Sequence, residues 1–338
     1  MKNRKIKVLL VLVVMGIMML SGCKKQVGTP EDNPVQEEDT EETDEEEAEE
    51  EGYKFGFSGI NMENPYFITL ENAIRESVTS SGNTLITEDP EGDAQKQASQ
   101  ITEMIEAGID AIFLSPVNWE EITPSLQELQ EADVRIINVD TQVKEMDYVD
   151  AYVGSDNEAA GRMCGEALIE KCPDGGKVLI LECPTQNSIN ERITGFEEAI
   201  SKAEVGFEIV ARENTDGKFE KSVEVAQNIL KEHTDVTAIM CGNDQIAVGA
   251  QTAVNLLGMD DVIIYGVDGS PDIKTELEKS DTQIAGTAAQ SPIHMGKKEE
   301  EAGLAILNGE EYEKENYVEI IDMITKDNVE MYGADGWQ

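Results

Sequence analysis

The stretch Val262-Ile263-Ile264-Tyr265-Gly266-Val267-Asp268-Gly269-Ser270-Pro271 decides the fold. Its apolar run, Val262–Val267, ends abruptly in turn formers. A run of that length, not alternating between apolar and polar, is a short strand covered on both faces. Just before it, Ala247, Ala250, Val254 and Leu257 recur at helical spacing. The same pairing repeats outward along the chain. Further strand-like runs are Tyr53–Ser58, Thr84–Thr87, Ala111–Ser115, Arg135–Val139, Val178–Glu182, Ala238–Cys241 and Gln283–Thr287. Between them lie helical patterns: Leu70, Ile74 and Val78; Ala94, Ala98, Ile101 and Ile105; Val223, Ala226 and Leu230. Strands alternating with helices predict βαβ units and parallel sheets with helices on both faces. The series runs twice, over about 53–140 and 178–288, with Ala151–Asn157 between. The expected fold class is therefore α/β, with two doubly wound parallel-sheet lobes. No Ser/Gly-rich linker separates the series, so the chain passes between lobes through structured segments.

The chain has 338 residues, 26 Lys plus Arg against 70 Asp plus Glu, and a formal net charge of −44. A nucleic-acid partner needs a basic footprint to release counterions, and this field has the wrong sign. Polybasic membrane docking fails for the same reason. No phosphate-cradling glycine loop of either common type occurs, and no cofactor is expected. His233 and His294 are the only histidines and have no metal-ligand spacing. Neither a G-x-S-x-G elbow nor a calcium loop occurs, so the chain does not read as an enzyme or a metalloprotein. Cys164, Cys172, Cys183 and Cys241 lack C-x-x-C spacing and read as small apolar residues. Cys183 and Cys241 both fall at strand ends, which leaves a bridge between them open.

The N-terminus reads as an export signal. Lys2, Arg4, Lys5 and Lys7 form a positive region, and Val8–Leu20 is a charge-free run too short to span a bilayer. It ends in Leu20-Ser21-Gly22-Cys23, which resembles a bacterial lipobox. Residues 1–22 are then the lipoprotein signal, and Cys23 is the lipidated first residue of the mature chain. The expected place is extracytoplasmic, lipid-anchored to the bacterial cell membrane. Residues 23–52 form the tether: Glu31–Glu51 holds fourteen acidic residues and no basic one. Such a run cannot bury enough apolar surface to fold.

Eight segments complete the pattern, each placed after a strand or at a lobe crossing. They are Asn64-Pro65-Tyr66-Phe67, Leu114-Ser115-Pro116, Asn138-Val139-Asp140, Val153–Asn157, Asn190–Phe196, Gly242-Asn243-Asp244, Tyr265–Pro271 and Thr287–Gln290. In order and spacing they resemble the type I periplasmic sugar-binding proteins of ABC importers, above all the ribose-binding group. The resemblance covers residues 53 to about 325. It implies two lobes joined by a three-strand hinge, with residues 53–153 plus 290–318 in the first lobe and 154–289 plus 319–338 in the second. It implies a small neutral sugar as ligand, and the permease and ATPase subunits of an importer as partners.

The chemistry of these residues agrees. In open parallel sheets, ligands bind outside the carboxyl ends of the strands. A sugar presents hydroxyls that donate and accept, and apolar ring faces. Asp140 and Asp268 can each accept from paired hydroxyls. Asn64, Asn243 and Gln290 can donate and accept, and Arg192 offers a rigid fork of donors. Tyr66 and Phe67 would cover a ring face, and Ser115 adds a polar contact. Each residue also has a plainer reading. Asn64 and Asn243 could be helix caps, and Asp140 and Asp268 turn formers. Arg192 could serve a surface ion pair, Gln290 the hinge, and one of the two rings the core.

Two departures from the ribose group stand out. Thr141 replaces an Arg, and Gly217 falls where a stacking ring is expected, with Phe219 as its only nearby substitute. Trp119 is then a candidate for a new pocket wall. Lost charge and added space point to a larger or differently hydroxylated ligand than ribose. Two other readings remain at this level. One is a receptor that presents a furanose-like signal, such as autoinducer-2, to a sensor kinase or chemoreceptor. The other is a hydrolase built on paired carboxylates.

Overall fold

The computed structural model describes residues 52–338. The export signal, Cys23 and the acidic tether lie outside the described residues. In chain order the elements are β1 (Lys54–Ser58), α1 (Pro65–Ser80), β2 (Thr84–Glu88), α2 (Ala94–Glu106), β3 (Ala111–Leu114), α3 (Thr123–Glu131), β4 (Arg135–Val139) and β5 (Ala151–Ser155). They continue with α4 (Asn157–Lys171), β6 (Gly176–Glu182), α5 (Asn187–Ser201), β7 (Phe207–Asn214), α6 (Phe219–Glu232), β8 (Ala238–Cys241), α7 (Asp244–Leu257) and β9 (Ile263–Asp268). Last come α8 (Pro271–Leu277), β10 (Ile284–Ala289), α9 (Pro292–Leu307), β11 (Glu315–Val318), β12 (Met323–Thr325) and α10 (Val329–Tyr332).

The strands form two six-stranded sheets, ordered β11-β5-β4-β3-β1-β2 and β12-β10-β9-β8-β6-β7. Every pairing is parallel except β10 with β12. The expected α/β class with two doubly wound sheets is what the chain adopts. The central strands are buried along their whole length, as in Ala111–Leu114 and Ala238–Cys241, because helices cover both faces. The chain leaves the first sheet after β5, returns to it after β10, and crosses again between β11 and β12. Helix α9 packs on β3, β4 and β5, and thus on the first sheet, while α4 packs on β9 and β10 of the second.

The end of the chain divides its contacts. Val329 belongs to the core of the second lobe, whereas Trp337 packs on the core of the first. Cys183 and Cys241 are free thiols, as are Cys164 and Cys172, so the bridge left open by the sequence is not formed. Among the described residues no helix is long and apolar enough to cross a membrane.

Candidate functional site between the lobes

Asp140 and Asp268 follow or end the corresponding strand of each sheet, β4 in one and β9 in the other. Both have positive φ, 58° and 143°, a backbone that side-chain-bearing residues rarely adopt. Each is held there by its surroundings. The Asp140 N–H donates to Val153 O at 3.0 Å, and the Tyr152 hydroxyl donates to Asp140 O at 2.9 Å. Asn138 fastens the same turn by donating to Leu114 O and Thr141 O, at 2.9 and 2.8 Å. After β9, the Asp244 carboxylate accepts from Ser270 N and from the Thr287 hydroxyl, both at 2.7 Å.

Arg192 reaches the same place from α5. Its Nε donates to Asn157 Oδ1 and its Nη1 to Gly242 O, each at 2.9 Å, and Nη1 lies 3.4 Å from Asp268 Oδ1. The close crossing of α4 and α5 makes this possible. A Cβ on Gly161 would sit 1.7 Å from Arg192 O, so only glycine admits α5 this near. Gln290 donates from Nε2 to Asp268 Oδ1 at 2.7 Å, and its N–H donates to Asp268 O at 2.9 Å.

Burial raises the pKa of both site carboxyls. Asp268 is pushed up to about 8, with Arg192 opposing the shift and the carboxylates of Asp244 and Asp140 adding to it. Asp140 also rises through burial, held back by Arg192 and then by nearby hydroxyls, of which Thr141 donates to Asp140 Oδ2 at 3.1 Å. Two polar atoms in this cluster are buried and have no hydrogen-bond partner among the described residues, Ser115 Oγ and Gln290 Oε1.

A cavity of about 320 Å3 lies between the lobes. Asn64, Phe67 and Asn243 line it, together with Val117, Asn118, Gln186, Gly217 and Lys218. Both asparagines are also helix caps: Asn64 Oδ1 accepts from Tyr66 N at 3.0 Å and Asn243 Oδ1 from Ile246 N at 2.9 Å. The two sequence readings of these residues are therefore compatible, since capping occupies the oxygen and leaves the NH2 group for the cavity. The other six predicted residues, Tyr66, Ser115, Asp140, Arg192, Asp268 and Gln290, do not line the cavity. They are packed together one layer further in, each 6% exposed or less.

The lobes are closed on one another. Trp119 N donates to Thr185 O at 3.0 Å across the cleft, and the hydroxyls of Thr141 and Ser188 share a hydrogen bond of 2.7 Å. The structure places three further residues that the sequence singled out. Trp119 is not a pocket wall; its ring lies under the Lys144 ammonium and its backbone forms the interlobe bond. Tyr66 does not face the cavity. It meets Phe67 edge-on at 5.3 Å and Trp337 at 5.9 Å, and its hydroxyl lies beside Asp140. Phe219 does not line this cavity; it opens α6 and lines an adjoining hollow together with Asn61, Asn64, Gly217 and Lys218. Gly217 is the cavity wall instead, with φ 70°.

Sequence reasoning overlooked several supporting residues. Gln97 donates to Ser58 Oγ and Ser115 O, at 3.0 and 2.9 Å, and accepts from Val117 N, joining the ends of β1 and β3. Asn157 and Ser188 were hidden because they act on Arg192 and Thr141, not on the cavity. The repeated mid-helix glycines Gly161 and Gly195 were the one signal that α4 and α5 must touch.

Residues 55–311 match the family described as periplasmic binding protein domain. The chain belongs to the periplasmic binding protein family. That family consists of solute-binding proteins, not enzymes. Among curated relatives, the ribose import binding protein RbsB of Bacillus subtilis (strain 168) is 29% identical over 263 residues, 78% of this chain and 84% of the relative. Among solved structures, an ABC transporter solute binding protein from Mycobacterium smegmatis with bound glycerol superposes with TM-score 0.78 at 26% identity. That match covers 83% of this chain and 96% of the other. A periplasmic solute binding protein from Actinobacillus succinogenes 130z with bound D-allose gives TM-score 0.75 at 25% identity, over 83% of this chain and all (100%) of the other. As a periplasmic binding protein, the chain has its two sheets and its interlobe cavity where a solute receptor needs them.

Proposed function

We propose that the protein is the extracytoplasmic solute receptor of an ABC importer, and that it binds a neutral monosaccharide or related polyol between its lobes. The observation that carries this reading is the meeting of Asp140 with Arg192 and Asp268 across the cleft, beside two buried polar atoms that lack partners. Carboxylates accept from hydroxyls, and the guanidinium and the two capping amides donate to them. Charge-assisted bonds of this kind are roughly twice as strong as neutral ones. An uncharged polyol leaves the acidic field undisturbed. Relatives that import ribose, or are solved with glycerol or D-allose bound, point to the same solute class. The open lobes sample closure, and a ligand bonded to both lobes shifts the population toward the closed form. The closed face then docks on the permease, while a separate ATPase drives transport.

Calorimetry of the full chain against ribose, allose, arabinose, galactose, glycerol and myo-inositol tests the reading. Saturable binding of one of them supports it. Binding of none, with tight binding of an amino acid or peptide, overturns it. Anchoring through Cys23 belongs to the same proposal. Labelled palmitate should enter the wild-type chain and not Cys23→Ser.

A further inference from the structure

We propose that Gly336–Gln338 is an interlobe strap that favours the closed arrangement of the lobes and makes Trp337 and Gln338 positioning residues of the candidate site. The inference goes beyond sugar binding and does not depend on it. The segment is tied at one end to the second lobe. Tyr332 donates its hydroxyl to Asp322 Oδ2 at 2.7 Å, and the Val329 side chain is part of that lobe's core. Five residues after Tyr332, Trp337 lies on the core of the first lobe, its ring 5.9 Å from that of Tyr66 with the planes at 72°. Edge-to-face geometry of this kind contributes beyond the area buried.

The residues on either side of Trp337 return to the second lobe. Lys274 is wholly buried, and its ammonium donates to Gly336 O. With its amide nitrogen toward Gly269, Gln338 donates to Gly269 O at 3.2 Å and accepts from Lys274 Nζ at 2.5 Å. The Ser291 hydroxyl, where the chain re-enters the first lobe, donates to Gln338 O. Every side-chain bond of Lys274 therefore goes to this segment. A buried ammonium left without partners is costly, so the segment is fixed, not draped. Gly269 directly follows Asp268, and Tyr66 lies beside Asp140. The strap thus touches the support of each site carboxylate, one in each lobe. Three residues cannot follow both lobes apart, so opening must break the Trp337 contact or the Gln338 contacts.

The Trp119 N–H bond to Thr185 O exists only across the closed cleft and is remote in sequence from the strap. Hydrogen exchange at Trp119 in the ligand-free full chain therefore reports closure. Trp337→Ala should speed that exchange by at least about fivefold, the lower end of ordinary coupling between sites. Exchange in the buried strand Ala238–Cys241 should be unchanged. Gln338→Ala, which spares Tyr66 and Trp337, should act in the same direction more weakly. Unchanged exchange at Trp119 in both variants overturns the strap. So does a uniform acceleration that includes Ala238–Cys241, because that is general destabilisation. Neither result bears on whether a sugar binds.

Discussion

The two lobes place an aspartate at the same point of the same topology and surround it differently. Asp140 in the first lobe accepts from the Thr141 hydroxyl at 3.1 Å, with the hydroxyls of Tyr66 and Ser115 nearby. Asp268 in the second is met by a guanidinium and an amide, Arg192 and Gln290. The first lobe therefore has no cation for its own carboxylate. Asp140 gains Arg192 only when the lobes come together, so compensation of charge and closure are one event.

The largest test removes the shared cation. Arg192→Leu leaves two buried carboxyl groups without their shared cation. Breaking a buried pair this way costs about 3–5 kcal/mol. Calorimetry with the bound sugar should show affinity lost by more than about 100-fold, with a lower melting temperature. An affinity within tenfold of wild type would remove the basis of the comparison. Next in size is the contrast between the two aspartates. Hydroxyls can reverse their hydrogen bonds to suit an amide, and a guanidinium cannot. Asp140→Asn should weaken sugar binding by roughly 10- to 100-fold, the loss of a charged hydrogen bond worth about 1.5–3 kcal/mol, and leave the melting temperature nearly unchanged. Asp268→Asn should lower both. Equal melting temperatures for the two variants would contradict the asymmetry.

The same contrast predicts a pH response. Asp268, raised to about 8 by burial, holds a proton in the closed state that the open, solvated state releases. Its contribution to closure is complete below the ordinary aspartate value of 3.8 and is lost as pH rises through about 8. Exchange at Trp119 in the ligand-free protein should therefore quicken between about pH 4 and pH 8, beyond the intrinsic rate, and level off above that, and Asp268→Asn should flatten the change.

A smaller effect concerns Glu299 on α9 of the first lobe. It is fully buried, neither carboxyl oxygen has a partner, and burial raises its pKa well above the ordinary value of 4.5. What it contributes to stability is present below that value and lost as pH rises through the higher folded one. Glu299→Gln should raise the melting temperature at pH 8 by a few degrees, on the order of 1 kcal/mol or more, and change little at pH 4. The smallest effect tests the interlobe hydroxyl pair: Ser188→Ala, which spares the Thr141 bond to Asp140, should lower the closing equilibrium about fivefold, near 1 kcal/mol for one neutral hydrogen bond, read as faster exchange at Trp119.

Much of the scaffold was legible in the sequence because central strands buried on both faces read as unbroken apolar runs. Arg135–Val139 is an example, and it matches the observed β4 to the residue. Strand β7 was not legible. It is an edge strand carrying Glu208, Arg212 and Glu213, so its pattern is that of a charged surface. The short hinge strands β11 and β12 have too few residues to show any period. Of the candidate site, residue types and order were readable, but depth was not. Tyr66 and Phe67 are adjacent in sequence, yet one packs inward and the other lines the cavity, because consecutive helical positions face different directions. Trp119 was misplaced because its role is carried by its backbone N–H, which any residue type supplies. The terminal contact of Trp337 with Tyr66 spans most of the chain and left no local mark.

Asn64 and Asn243 each anchor a helix with one atom and address the cleft with another. Exchanging the amide for a carboxylate, Asn64→Asp or Asn243→Asp, keeps the anchoring oxygen and turns the cleft-facing donor into an acceptor. Preference for a solute can thus be rewritten at these two positions by a single heavy atom, while the helices that carry them stay where they are.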